Sequence, residues 1–202
     1  MSTFIGTRKE FVQKYEPFIN SVVKGSGLFP GTMIAQAIIE SSGEFNGKWS
    51  VGGSGLSRKA NNFFGIKCAG GWKGKTYNSN TGEYSPGGAY YVQQNACFRK
   101  YDTVEDSIQD HLNFLQVNSR YTKYGVFKAK TITEQANALK AAGYATAPNY
   151  AKTIVSVYNE IKPYLTNEEE KKKFLNKKNI KLFGIPAIFL GMLYYLHKEK
   201  YI

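Results

Sequence analysis

The chain is poor in the residues from which metal centres and redox sites are built. Histidine, cysteine and tryptophan occur twice each in 202 residues. The two histidines, His111 and His197, lie far apart, and with Cys68 and Cys97 they form no ligand set of the usual spacing. No metal and no cofactor is expected. No glycine-rich phosphate loop follows a strand pattern, and there is no Ser–His–Asp arrangement. Arginine, the side chain suited to bidentate contacts with phosphates and bases, occurs four times and without a nucleic-acid motif. Nucleic acid is therefore not an expected partner. The N-terminus has no apolar signal core. Nor is there an uninterrupted apolar run of the about 20 residues that a membrane-spanning helix takes.

Acids are scarce as well, 15 against 27 Lys and Arg, which leaves a net charge of +12. Residues 1–165 alone stay near +8. A basic surface of this kind suits polyanions such as anionic wall polymers or lipid head groups. Aromatics are plentiful at 15%. Such rings are common in carbohydrate clefts, and they also fill small cores.

The apolar periodicity predicts an amphipathic helix over Thr7 to Ser26, split or kinked at Pro17. A second helix is expected over Pro30 to Ser42, with a proline suited to its first turn. Residues 43–60 read as a loop with a helical turn near Leu56 to Ala60. Residues 63–100 change to Gly, Asn, Tyr and Thr with short alternating runs, the pattern of a small hairpin region. Helices follow over Val104 to Gln116, Thr133 to Ala142 and Asn149 to Leu165. Helices flanking a short β insertion make an α+β domain over residues 1–165. A charged linker, 166–181, and an apolar tail, 182–202, complete the chain. Leu182 to Leu196 carries no charge, is flanked by lysines and is interrupted by Pro186 and Gly191. A membrane anchor, a helix packed on the domain or on a partner protein, and a disordered end are all consistent with residues 182–196.

Between residues 30 and 100 the only carboxylates are Glu40, Glu44 and Glu83. Glu40 ends the apolar run Ala35-Gln-Ala-Ile-Ile-Glu40. There, burial and the negative end of the helix dipole both favour the protonated acid. Such a group can donate a proton to a leaving oxygen. A helix-end glutamate paired with a lysine is the other reading.

Further fragments stand in order after Glu40: Ala60-Asn-Asn-Phe-Phe-Gly-Ile-Lys67, Trp72-Lys-Gly74, Thr81-Gly-Glu83-Tyr84, Phe98-Arg-Lys-Tyr101 and Ala142-Gly-Tyr-Ala-Thr146. Together they resemble the N-acetylglucosaminidase domain of bacterial autolysins and flagellar peptidoglycan hydrolases, glycoside hydrolase family 73, over roughly residues 10 to 165. The resemblance implies a lysozyme-like fold: a mainly helical lobe, a small β-hairpin lobe and a glycan cleft between them. It implies cleavage of the β-1,4 bond after N-acetylglucosamine in peptidoglycan. A muramidase that cuts the alternate bond, and a silent wall-binding or virion module, are the alternatives.

The family pattern makes Glu40 the catalytic acid and Glu83 the second carboxylate, with an exposed hairpin glutamate as the plainer reading of Glu83. It sets Tyr144 at the cleft, where its phenol would bond the substrate's N-acetyl group or position a water. Asn62, Phe64, Trp72, Tyr84 and Tyr150 are the expected substrate contacts, and Asn62 and Phe64 have supporting Glu40 as their alternative. Glu44 is expected to be loop surface. The family's Glu-Ser-Gly-Trp-Gly is here Glu40-Ser-Ser-Gly-Glu, so Trp49 is the candidate to replace the missing tryptophan. Ala147 stands where the family often has Asp. Cys68 and Cys97 flank the β insertion, and similar placements in some relatives imply a disulfide; two separate buried thiols are the alternative. With no signal peptide seen, the enzyme would reach the wall through a phage lysis pore, in a virion or by dedicated export.

Overall fold

The computed structural model describes residues 3–69, 71–84 and 89–166, and for Glu83, Tyr84 and Tyr90 the backbone alone. Residues 1–165 make up one compact unit. The tail and all but the first residue of the linker lie outside the described residues. Among those residues, no helix is long and apolar enough to cross a membrane.

Helix α1 runs Arg8–Val23 and opens on a capping box in which Thr7 and Glu10 satisfy each other's backbone. Pro17 does not split it. Pro17 and Gln13, one turn earlier, both face solvent, so the carbonyl that proline leaves without a donor can bond water. Helix α2, Pro30–Ser41, buries every residue from Gly31 to Ile38. Met33, Ile34 and Ile38 meet Phe11 and Ile19 of α1 and, from far along the chain, Ile154 and Ile161 in one core. A helix apolar all round is stable only when other elements enclose it.

The segment after α2, expected as a loop, is a hairpin of β1, Gly43–Phe45, and β2, Lys48–Ser50. Its turn is Asn46-Gly47, both at positive φ (49° and 72°), the two-residue turn that matches strand twist. Glu44 therefore sits on a strand, opposite Trp49, whose side chain is 74% exposed. The hairpin is tied down behind. A Cβ on Gly53 would come within 2.2 Å of the Gly43 carbonyl oxygen, so these backbones meet where a side chain has no room. Helix α3 follows at Gly55–Ala60.

The β insertion is an antiparallel pair, β3, Thr76–Tyr84, and β4, Tyr90–Arg99, with a register shift between Ser79 and Thr81. Cys68 and Cys97 form a disulfide with Cα atoms 5.4 Å apart, beside a backbone bond from Cys68 N to Cys97 O of 3.0 Å. Arg99 locks the same end to helix α4, Val104–Val117. Its guanidinium donates to both Asp110 carboxylate oxygens, at 3.0 and 2.8 Å, and to the carbonyls of Lys67 and Ala69. Tyr101 donates to the same carboxylate at 2.6 Å.

Helices α5, Ser119–Lys123, α6, Ile132–Ala141, and α7, Tyr150–Ile161, close the helical lobe. The first was not expected from periodicity, being too short to show one. The last ends earlier than expected because Pro163 turns the chain into a 3-10 turn. The result is the mainly helical α+β arrangement.

The disulfide closes a sequence separation of 29 residues. Replacing both cysteines by serine should lower unfolding stability by about 3–4 kcal/mol, read as a fall in the urea midpoint. An unchanged midpoint would show that the Arg99 anchor alone constrains this end of the hairpin.

Candidate active site

Glu40 occupies the last turn of α2, near its negative end, and the residue as a whole is partly buried. Its carboxyl faces inward. Burial pushes it up from the ordinary 4.5 to about 7, and a hydrogen bond from Tyr150 works in the opposite direction. Tyr150 is the first residue of α7 and is 4% exposed. Its hydroxyl also accepts from Gln36 Nε2 at 3.0 Å. Thus α2 supplies both Gln36 and Glu40, one turn apart, and α7 supplies the phenol that joins them.

Gly65 shapes the other side. Its φ is +65°, and a Cβ there would stand 3.9 Å from Glu40 Oε2. The glycine lets the chain turn toward β3 close beside the carboxyl.

Tyr144 is partly buried behind this centre, its ring stacked on Tyr150 with centroids 5.6 Å apart. Its hydroxyl lies 3.1 Å from His111 Nε2 and donates to the Phe64 carbonyl at 3.3 Å. Both bonds form when His111 carries its proton on Nε2. His111 is fully enclosed, stacked on Phe64 at 3.9 Å, and burial lowers it to about 3, so it is neutral at ordinary pH. Burial likewise holds the Tyr144 and Tyr150 phenols well above their usual value. The carboxyl of Glu40 thus sits among neutral groups. Sequence reasoning did not single out Gln36 or His111. Gln36 showed only as a polar residue inside an apolar helix.

Three of the expected substrate contacts make contacts within the protein. Asn62 is fully enclosed; its amide donates to the Ile66 and Arg99 carbonyls, and its Oδ1 accepts from Phe64 and Ile66. It braces the loop that carries Gly65 and has no face for a sugar. Phe64 is 3% exposed and supports His111 instead. Trp72 takes the Arg99 guanidinium at 4.7 Å over its ring and lines a cavity of about 400 Å³ with Tyr101, Asp106, Gln109, Asp110 and Asn113. Neither Glu40 nor Tyr150 lines that cavity. Glu83 lies on β3 with Tyr91 as its register partner, and Tyr84 pairs with Tyr90. Their side chains lie outside the described residues.

A family model described as mannosyl-glycoprotein endo-beta-N-acetylglucosaminidase matches residues 16–163. The chain belongs to this glucosaminidase family. Among its relatives, the peptidoglycan hydrolase FlgJ of Pseudomonas aeruginosa is 31% identical over 77% of this chain and 37% of its own length. The exo-glucosaminidase LytG of Bacillus subtilis is 36% identical over 68% of this chain and 49% of its own length. The chain thus spans about half or less of the length of these relatives. In solved structures, the catalytic domain of the Listeria monocytogenes autolysin Auto superposes with a TM-score of 0.59 at 31% identity, covering 78% of this chain and 84% of that one. A C-terminally truncated glycoside hydrolase domain of Salmonella typhimurium FlgJ gives 0.55 at 30%, covering 77% and 98%. The lysozyme-like glucosaminidase fold is thereby shared.

The raised carboxyl has a thermodynamic signature. In the unfolded chain Glu40 ionises near 4.5 and in the folded one near 7. Between those values the native state binds more protons, so this group's contribution to stability falls as pH rises and is lowest above about 7. Glu40→Gln should therefore gain stability over the parent chain across this window, by about 1–3 kcal/mol above it. Urea unfolding of both proteins at acid and alkaline pH checks it. A difference that does not change with pH would refute the buried-acid reading.

Proposed function

We propose that this chain is a peptidoglycan hydrolase that cleaves the β-1,4 glycosidic bond after N-acetylglucosamine, with Glu40 as general acid. The observation that carries the reading is an inward-facing carboxyl at the end of α2, among neutral groups, that burial pushes up to about 7. Family membership and the peptidoglycan hydrolase and exo-glucosaminidase among its relatives support it. Glu40 gives its proton to the glycosidic oxygen as the C1–O bond breaks. The positive charge that develops at C1 is met by the substrate's own acetamido oxygen or by water that Glu83 activates. Where the acetamido group assists, the proton released when water adds returns to Glu40; where Glu83 takes it from the attacking water, Glu83 loses it to solvent and Glu40 is reprotonated from solvent. Tyr150, bonded to the carboxyl, fixes its direction. Tyr144, its hydroxyl held by His111 and the Phe64 carbonyl, backs the Tyr150 ring, and contact with the N-acetyl group or a water would require it to leave those partners. The exposed Trp49 offers an aromatic face at the rim, in place of the family's missing tryptophan.

Peptidoglycan strands are the partner, and the net charge suits the anionic polymers of a cell wall. A second reading, muramidase, has one observation in its favour: a Lactococcus lactis relative, 35% identical, is named a probable N-acetylmuramidase. Digestion of purified peptidoglycan, with the reducing-end sugar identified by mass spectrometry, separates the two. N-acetylglucosamine at the new reducing end supports the proposal, and N-acetylmuramic acid overturns it.

On the same substrate Glu40→Gln should lower turnover by about 10²–10⁴-fold. Glu83→Gln should slow it by a smaller factor, and Glu44→Gln should do little. Loss of turnover in Glu44→Gln with normal turnover in Glu40→Gln would mean that the acid is misplaced.

The activity is placed in residues 1–165, with the apolar tail docking into a membrane or a partner protein. A chain ending at Leu165 should stay soluble and keep its turnover. Aggregation without activity would assign the tail to the core.

A further inference from the structure

We infer that Gln36 is a positioning residue for the acid: its amide holds the Tyr150 hydroxyl in the one orientation that donates to Glu40. This rests on the proposed role of Glu40. Gln36 is fully enclosed and precedes Glu40 by one helical turn, so both side chains leave the same face of α2. Its Nε2 donates to the Tyr150 oxygen at 3.0 Å. A phenol has one proton and accepts through its lone pairs. With a donor already at its oxygen, the Tyr150 proton is directed away from Gln36 and onto the carboxyl, the bond that pulls Glu40 down against its burial. The donor also polarises the phenol and strengthens that second bond.

The amide's other end supplies an independent observation. Gln36 Oε1 is buried and has no hydrogen-bond partner. Turned about, Oε1 would capture the Tyr150 proton and Glu40 would lose its donor. A buried acceptor is thus left unpaired while the carboxyl keeps its bond.

The surrounding groups leave the titration to Glu40. Tyr150 faces it from α7 and Tyr144 from the preceding loop, with His111 of α4 bonded behind Tyr144 and Tyr121 of α5 beyond. Burial keeps His111 neutral and the three phenols protonated through neutral pH. Burial and the Tyr150 hydroxyl are the two causes of the Glu40 shift.

The test is the Gln36→Met variant, which keeps the length of the side chain and removes the donor. Glu40 is titrated by carbon NMR of labelled glutamate carboxyls, its resonance identified by loss in Glu40→Gln, beside the pH profile of kcat on peptidoglycan. Gln36→Met should raise the Glu40 midpoint by about 0.5–1 pH unit, and the basic limb of kcat should move with it. Tyr150→Phe should raise it too, and adding Gln36→Met to Tyr150→Phe should raise it no further, because the two act through one bond.

Gln36→Glu keeps the shape of the site where the methionine variant fails to fold. Once ionised it accepts the Tyr150 proton and adds a negative charge, so it should raise the midpoint more than Gln36→Met. An unchanged or lowered midpoint in the folded variants, or a shift that adds fully to that of Tyr150→Phe, overturns the inference. A parent enzyme with no turnover but the same NMR shifts would instead overturn the proposed function and leave the role of Gln36 in place.

Discussion

The site turns on keeping one carboxyl out of water without pairing it to a charge. Glu40 stands where α2 packs along α7, and the helix that carries it is enclosed almost from end to end. A cation beside it would stabilise the ionised form and drain the acid of its proton at neutral pH. The fold supplies phenols instead. Tyr150 bonds the carboxyl, Tyr144 stacks behind, and His111 is buried too deeply to become a charge. Burial alone would leave the group unguided. One neutral donor gives it direction at the expense of part of the upward shift.

The second fixed point is the ion pair of Arg99 with Asp110, which joins the β insertion to α4. A two-stranded hairpin has little stability by itself. Here one end is held by the disulfide, by Arg99 reaching two loop carbonyls, and by Tyr101 closing on the same aspartate. A buried ion pair contributes little net stability once desolvation is counted, but removing one partner leaves a costly orphan. Its effect is therefore on register and placement. It sets where β3, and with it the Glu83 backbone, stands relative to the helical lobe. The motif Phe98-Arg-Lys-Tyr101 has this mechanical meaning: Phe98 in the core, Arg99 and Tyr101 on Asp110.

Much of this was legible in the chain. The 3.6-residue spacing of apolar residues marked the long helices, and a lone acid at the end of the most apolar one marked Glu40. Other features were written locally but overlooked. Asn46-Gly47 is a strong two-residue hairpin signal, hidden in a stretch that glycine and serine made look like a loop. For Asn62, Phe64 and Trp72 the choice between lining a cleft and supporting the site was open for one reason. Residue type and order along the chain identify a shared motif, but they do not say whether a side chain in it faces a cleft or braces the loop behind it. That depends on long-range partners: Asn62 on Arg99, Phe64 on His111, Trp72 on the outer face of α4. Gln36 was illegible because its partner lies 114 residues away.

Two electrostatic scales follow from this arrangement, and they separate under salt. The net charge near +8 of residues 1–165 belongs mostly to lysines open to solvent, where attraction to a polyanion decays within about 8 Å at physiological ionic strength. The carboxyl of Glu40 owes its raised value to burial, against which the Tyr150 hydrogen bond works, and mobile ions reach neither. Ionic strength therefore acts on how the chain meets an anionic surface and leaves the state of the acid nearly untouched. Had the fold tuned Glu40 with a neighbouring cation, both would weaken together. A neutral cradle beneath a basic exterior therefore separates two effects: the surface lysines respond to salt, while the protonation of the Glu40 carboxyl is set by the enclosed residues around it.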